Sequence, residues 1–234
     1  MEGNSSKNKE LLKNTLIIFI GKFCTQFISF LLVPLYTKYL NTSDYGYVDL
    51  VLTYISLILP ILILRSDSSI FRYLIDERDN KKEREKTVTS LFVLIFIQIF
   101  ALLFLSTITN MVFKIQYIVS IILSTIMYAF SSMSLQYIRG IGDNTGYSIA
   151  SIISGVTTLI VNIILIVLLK VGGVSILIST IIANIFCVLY IAFRTKVYRE
   201  IRKESFSEKK LEKMLKYSIP MIPDRAFMVA DKCI

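Results

Sequence analysis

The sequence predicts an all-α fold, a polytopic membrane helix bundle of one six-helix lobe followed by the start of a seventh helix. Three observations carry this prediction. The 234-residue chain is 54% hydrophobic and only 18% charged, more apolar surface than one soluble core of ordinary proportions can hide. Six apolar runs approach or exceed the roughly twenty residues that a helix rising about 1.5 Å per residue needs to cross about 30 Å of hydrocarbon. Lys and Arg fall almost entirely in alternate connections between those runs, the pattern that membrane insertion imposes on antiparallel spans.

In order, the predicted spans cover residues 15–35, 47–64, 88–108, 115–138, 147–169 and 174–193, and a seventh begins near Tyr217 and is cut by the end of the chain at Ile234. The corresponding organisation is a six-helix lobe over 1–193, a basic cytoplasmic linker over 194–216 and a truncated seventh span over 217–234. Twenty Lys and Arg lie in the first tail and the connections after spans two, four and six; the opposite connections hold only Lys38, Lys114 and Lys170. Such a bias places the N-terminus in the cytoplasm and the chain in the cell membrane as a multi-pass protein. The net charge of +9 therefore follows topology, and no nucleic-acid partner is expected. Lys residues before the first span resemble a secretory signal, but the apolar run is long, lacks an A-x-A cleavage pattern and precedes further spans, so it is expected to remain as an anchor.

The connection from Tyr39 to Gly46 reads as a polar turn with helix-capping residues; its Asn41-Thr42-Ser43 sequon is taken as a chance match. Residues 65–86 and 207–216 mix both signs of charge and read as helical extensions with solvated faces, the second alternatively lying along the anionic inner leaflet. His and Trp are absent, and Cys24, Cys187 and Cys233 are far apart. No metal site, disulfide or cofactor is expected, and the cysteines read as small core residues.

Polar residues within spans repeat at helical spacing. Span one carries Thr15, Lys22, Thr25, Gln26 and Ser29 on one face; span two carries Asp49, Thr53, Ser56 and Pro60. Span four carries Thr125, Tyr128, Ser132, Gln136 and Arg139, and span five Ser148, Ser151, Gly155, Thr158 and Asn162. Two readings stand: the stripes converge on one wet cavity, or they are close-packing faces of small residues. Lys22 sits roughly 10 Å along the helix from Thr15, deep enough to strain snorkelling to the interface. A cation fixed there implies an anionic ligand or a carboxylate partner such as Asp49. Gly21 and Pro34 are expected to let span one bend.

Several ordered segments resemble a known family: Asn14-Thr15-Leu16, Pro34-Leu35-Tyr36-Thr37-Lys38-Tyr39-Leu40, Ser43-Asp44-Tyr45-Gly46, Phe71-Arg72-Tyr73, Arg139-Gly140-Ile141-Gly142 and Lys216-Tyr217-Ser218-Ile219-Pro220-Met221-Ile222-Pro223. Together they resemble the Wzx-type lipid-linked oligosaccharide flippases, the polysaccharide-transport branch of the MOP exporter superfamily. The resemblance implies two six-helix lobes around a cavity that opens alternately to each side. It implies as substrate an undecaprenyl-pyrophosphate-linked repeat unit for capsule, O-antigen or related polymers, with membrane lipid and a polysaccharide polymerase as partners. Lys22, Gln26, Arg72, Gln136 and Arg139 are the substrate-binding candidates, with Asp49 as a charge partner. Members of that family are longer, so the chain is expected to be the N-terminal half, and the roles of Asp224, Arg225, Asp231 and Lys232 are left open.

Two alternatives come from the same observations. A membrane-embedded polymerase or acyltransferase would be expected to show an acid-base cluster or His at a membrane face and a large outer loop, whereas the outer connections here are short. A drug exporter of the same superfamily would call for buried carboxylates, whereas the deep charge of span one is a cation.

Overall fold

The computed structural model describes the backbone of residues 2–223, with side chains from Leu12 onward except 112 and 113. The remainder of the expected seventh span, with Asp224, Arg225, Asp231, Lys232 and Cys233, lies outside the described residues. Every regular element within them is helical: α1 (Glu2–Tyr39), α2 (Thr42–Leu62), α3 (Ser66–Asp76), α4 (Lys81–Phe113), α5 (Ile118–Gly140), α6 (Asn144–Asn162), α7 (Val174–Thr195) and α8 (Glu208–Ser218). A π-helical stretch, Ile163–Leu168, extends α6. Six helices, all but α3 and α8, are long and apolar enough to cross a membrane.

Short connections make successive spans antiparallel. One end of the bundle, here the basic end, collects α3, α8, the start of α4, the α5–α6 turn and the end of α7. α1 packs along α6, α6 and α5 pack on α7, and α3 and α8 lie against α4 and α5. The apolar core sits in clusters at both ends: Leu74, Leu91, Ile138, Cys187, Ile191 and Met214 at the basic end, and Leu32, Val48, Ile166 and Leu177 at the other. The outer surface is itself apolar. Phe19, Phe23 and Phe27 stack along α1 with centroids 6.1 and 6.4 Å apart, and Phe30 beside them is 69% exposed. Such a surface is compatible with hydrocarbon as solvent.

Two sequence expectations change. α1 is one unbroken helix through Gly21 and Pro34, and Gly21 serves close approach rather than bending: a Cβ there would meet the Ser148 Cβ at 2.8 Å. Ser148 Oγ donates to the Ile17 carbonyl at 2.7 Å, tying α6 to α1. The Tyr39–Gly46 turn is shorter than expected. Helix α2 begins at Thr42, and Asn41 makes no side-chain cap bond; Tyr36 packs on Tyr45 instead, with centroids 5.6 Å apart.

The charged connections are helical with solvated faces, as expected, with Lys81, Lys82, Lys209, Glu212, Lys213 and Lys216 exposed, and their opposite faces are packed. Met214 of α8 is 1% exposed, and its carbonyl accepts from Ser69 Oγ at 2.9 Å. Lys210 pairs with Glu77, whose other oxygen accepts from Thr87 Oγ1 at 2.6 Å. Glu200 accepts from Arg84 at 2.5 Å and from the Tyr137 hydroxyl at 3.1 Å. Glu77, Glu200 and Lys210 are thus paired across elements, so their desolvation is offset by specific bonds.

The Arg139–Gly142 segment has a packing reason. A Cβ on Gly140 would lie 2.8 Å from the Leu74 Cβ on α3, Gly142 has φ +92°, and Arg78 Nε donates to the Gly140 carbonyl at 2.7 Å. Gly140→Ala is expected to cost about 1–3 kcal/mol by overpacking. Gly46→Ala, whose Cβ would meet nothing within 4 Å, should be neutral or stabilising by about 0.5–1 kcal/mol. Thermal melting of both variants in detergent checks the pair: equal melting temperatures would contradict the close α3–α5 contact.

Candidate functional site

Four spanning helices turn polar faces toward one another and leave a cavity of about 410 Å³ between them. α1 supplies Lys22, Thr25, Gln26 and Ser29; α5 supplies Tyr128, Ser131 and Ser132. Tyr147, Ser151, Ser154, Gly155 and Thr158 of α6 and Asn184 of α7 complete the wall. Three of the four stripes read from sequence thus meet. The stripe of span two does not: Asp49 is exposed on α2 and lines neither this cavity nor the next.

Both readings of the α6 stripe are realised, at different residues. Its middle lines the cavity, while its ends join helices, Ser148 to α1 and Asn162 to α7. Asn162 is fully buried, and its Nδ2 donates to Ser179 Oγ at 2.8 Å and to the Thr158 carbonyl at 2.9 Å. Gly155 lets α1 close in, since a Cβ there would stand 3.0 Å from Ile28 Cδ1. Four of the nine cavity hydroxyls donate within their own helices: Thr25 to the Lys22 carbonyl at 2.8 Å, Ser29 to Thr25 at 3.1 Å, Ser151 to Tyr147 at 2.9 Å and Thr158 to Ser154 at 2.9 Å. Their oxygens keep lone pairs for donors entering the cavity. Of the sixteen lining residues only Lys22 is charged.

Gln136 and Arg139 lie one turn further along α5 and line a second cavity, of about 550 Å³, at the basic end. There they join Arg65, Asp67, Phe71, Arg72, Asp76 and Tyr217. The Arg139 guanidinium lies 4.5 Å from the Phe71 ring centroid and 6.0 Å from that of Tyr147, while Arg72 lies 4.5 Å over Tyr217. The Phe71 stacking holds the Arg139 guanidinium by its face and, among the described residues, leaves its N–H edges available. The structure therefore divides the five candidates between two compartments, Lys22 and Gln26 in one, Arg72, Gln136 and Arg139 in the other. Tyr147 stands at the boundary, lining the first and touching Arg139.

Sequence reasoning missed Asn184, Arg65, Asp67 and Tyr217 as lining residues. For Asn184 a signal existed: Ser175, Ser179, Thr180 and Asn184 mark a polar face on an otherwise apolar span. For Arg65, Asp67 and Tyr217 none did, because they meet only through the packing of α3 against α8.

Comparison with known proteins gives a consistent result. Residues 11–230 match the sequence profile of a family described as polysaccharide biosynthesis protein. No curated protein matches the chain in sequence. Among solved structures, a MATE transporter in complex with Br-NRF superposes with a TM-score of 0.77 at 16% identity, over 94% of this chain and 56% of that one. An outward-facing multidrug resistance MATE transporter of the MOP superfamily gives 0.70 at 16%, over 92% and 52%. A MOP superfamily transporter from Pyrococcus furiosus, described as having a binding pocket of reversed polarity that suggests a different function, gives 0.70 at 14%, over 92% and 52%. The chain spans about half the length of these structures, and at such identities the likeness is one of fold.

One ion pair secures the α5–α6 turn beside the site. Asp143 caps α6, accepting from the Gly146 N–H at 2.8 Å, and bonds Arg194 at 2.5 and 3.2 Å. Chiefly the Arg194 guanidinium, and also the Gly146 N–H, hold the Asp143 carboxyl below its usual range, against the opposing effect of partial burial. A carboxyl lowered on folding adds stability above its unfolded pKa of about 3.9 and loses it as pH falls through the lower folded value. Asp143→Asn keeps a cap-competent side chain but removes the charge, so its melting temperature should lie below wild type at pH 7. That gap should shrink as the pH drops through and below about 4; a pH-independent gap would contradict the ion pair's role.

Proposed function

Because the chain belongs to the polysaccharide biosynthesis protein family and has the fold of MOP-superfamily transporters, we propose that it carries a lipid-linked anionic oligosaccharide across the cytoplasmic membrane. The cargo of this proposal is an undecaprenyl-pyrophosphate-linked repeat unit, moved from the inner to the outer leaflet for cell-surface polysaccharide synthesis. The observation that carries it is the cavity between α1, α5, α6 and α7, rich in hydroxyls and amides, with Lys22 as its single charge among the described residues. Serine, threonine and tyrosine oxygens with free lone pairs suit the hydroxyls of a sugar. A lone cation among hydroxyls and amides attracts an anionic group and disfavours a cationic drug.

The N-terminus and the basic end face the cytoplasm in this account, as the charge bias requires. Arg72, Gln136 and Arg139 meet the phosphorylated headgroup from the inner leaflet, and Lys22 and Gln26 hold it further in while the lipid tail stays in hydrocarbon. Alternating access in this proposal comes from movement of this lobe against the opposite lobe of a two-lobed transporter. No covalent bond is made or broken, so binding only needs to differ between the two openings.

Lys22→Ala is expected to cut translocation of lipid-linked oligosaccharide into vesicles by tenfold or more, from loss of a charge-assisted bond, while membrane insertion is unchanged. Lys22→Arg should retain more transport than Lys22→Ala. Full transport by Lys22→Ala would remove Lys22 from the substrate path.

A further inference from the structure

α7 packs on α5 and α6, and α4 on α3, α5 and α8. Between α4 and α7, over α5, lies a groove of about 300 Å³ that shares no residue with the two cavities above. Phe92 and Ile95 of α4 and Val188 and Ala192 of α7 form its walls, with Phe130 and Met133 of α5 as floor. Of its fifteen lining residues none is charged and three carry a hydroxyl. A space so apolar does not hold water well, and left empty it forfeits the dispersion contacts of its walls. At its edge exposed Phe96 lies against Phe92, with centroids 4.9 Å apart, and exposed Phe193 continues the surface of α7. The groove thus adjoins the outer apolar surface that faces hydrocarbon.

Its roof is the segment after α7, residues 196–207, whose Val197, Tyr198 and Ile201 complete the lining. α4 holds this strap by two buried hydroxyls. Thr89 Oγ1 donates to the Glu200 carbonyl at 3.3 Å and accepts from the Arg202 N–H at 3.2 Å. Ser90 Oγ donates to the Ser207 carbonyl and accepts from the Ser207 N–H, each at 3.3 Å. The pinned strap leaves Lys196, Arg199, Arg202 and Lys203 exposed, in no salt bridge among the described residues. Its carboxylates are Glu200, already bonded to Arg84, and exposed Glu204. The Arg199 guanidinium lies 5.9 Å from the centroid of the Tyr198 ring, so the cationic face begins at the groove's own lining. A tyrosine beside Lys and Arg is the composition of a membrane interface on its cytoplasmic side.

We infer that this groove binds an anionic glycerophospholipid of the inner leaflet. One acyl chain lies between α4 and α7, and the phosphate meets Arg199, Arg202 and their neighbours on the strap. An apolar groove alone would take any chain, and a basic segment alone any anion. An apolar space that ends under four cations suits a ligand that is both. The bound lipid fills the gap between α4 and α7 and braces the strap that leads to α8. The inference rests on the orientation proposed above, with the basic end inward, and on no property of the cargo.

The test places the full chain in phosphatidylcholine nanodiscs with a trace of phosphatidylglycerol that carries a photoactivatable acyl chain. On irradiation, label should collect on residues 88–95 and 188–192 at about tenfold its level on the outer face around Ile160. A phosphatidylcholine probe with the same chain should give no such excess. Arg199→Gln combined with Arg202→Gln should cut the excess about tenfold, the effect of two interfacial cations lost. Ala192→Phe, which fills the groove and changes no charge, should abolish it. Melting temperatures report folding, and Ala192→Leu takes its place if Ala192→Phe does not fold. An equal excess from the phosphatidylcholine probe, or one untouched by the double Gln variant, overturns the inference. Displacement of the probe by less undecaprenyl phosphate than unlabelled phosphatidylglycerol also overturns it, because the groove would then belong to the cargo's carrier. Labelling reads no transport, so a uniform label removes this site and leaves the cargo proposal to the Lys22 variants.

Discussion

Hydrocarbon offers no hydrogen bonds, so a polar side chain on a spanning helix must find its partner on its own helix, on a neighbour or in water. The packing of this protein follows from that constraint. Ser148 and Asn162 bond across to α1 and α7 and set where α6 sits between them. Gly21 and Gly155 remove the side chains that would keep α1 at a distance. Between these contact points the remaining polar residues face inward, and the cavity is the space they share.

The same constraint acts differently at the basic end, where water is near and charges are affordable only when paired. Glu77, Glu200 and Lys210 are each tied to partners on other elements, which makes α3, α4, α8 and the stretch after α7 one packed layer. Arg72 and Arg139 are held by aromatic faces instead, in no salt bridge among the described residues. Two kinds of pairing thus separate charges that build the layer from charges that a ligand can use.

Much of this was legible in the sequence. The length of the apolar runs located six spans, and the 3.6-residue period identified the polar faces of α1, α5 and α6 that do line the cavity. Period alone names a face and not its neighbour. It gave the same weight to Asp49 of α2, which lies outside both cavities, and it did not divide the α5 face at Ser132 and Gln136 between two compartments. The Phe71-Arg72-Tyr73 segment was recognisable as a pattern, yet its meaning lies in contacts with Arg139, Tyr217 and Lys210 that only tertiary packing supplies. Gly21 illustrates the opposite error: a glycine in a helix admits either bending or close approach, and the partner that decides between them, Ser148, is more than a hundred residues away.

The central claim is that the cavity between α1, α5, α6 and α7 is wet and receives an anionic, hydroxyl-rich headgroup. It is tested most directly by replacing the native cysteines and placing single cysteines at Ser154, on the cavity wall, and at Ile160, on the outer face and 51% exposed. A membrane-impermeant, negatively charged thiol reagent should modify Ser154→Cys and leave Ile160→Cys unreacted, and lipid-linked oligosaccharide should slow the first reaction. Equal reactivity at the two positions, or no reaction at Ser154→Cys from either side of the membrane, would contradict the account.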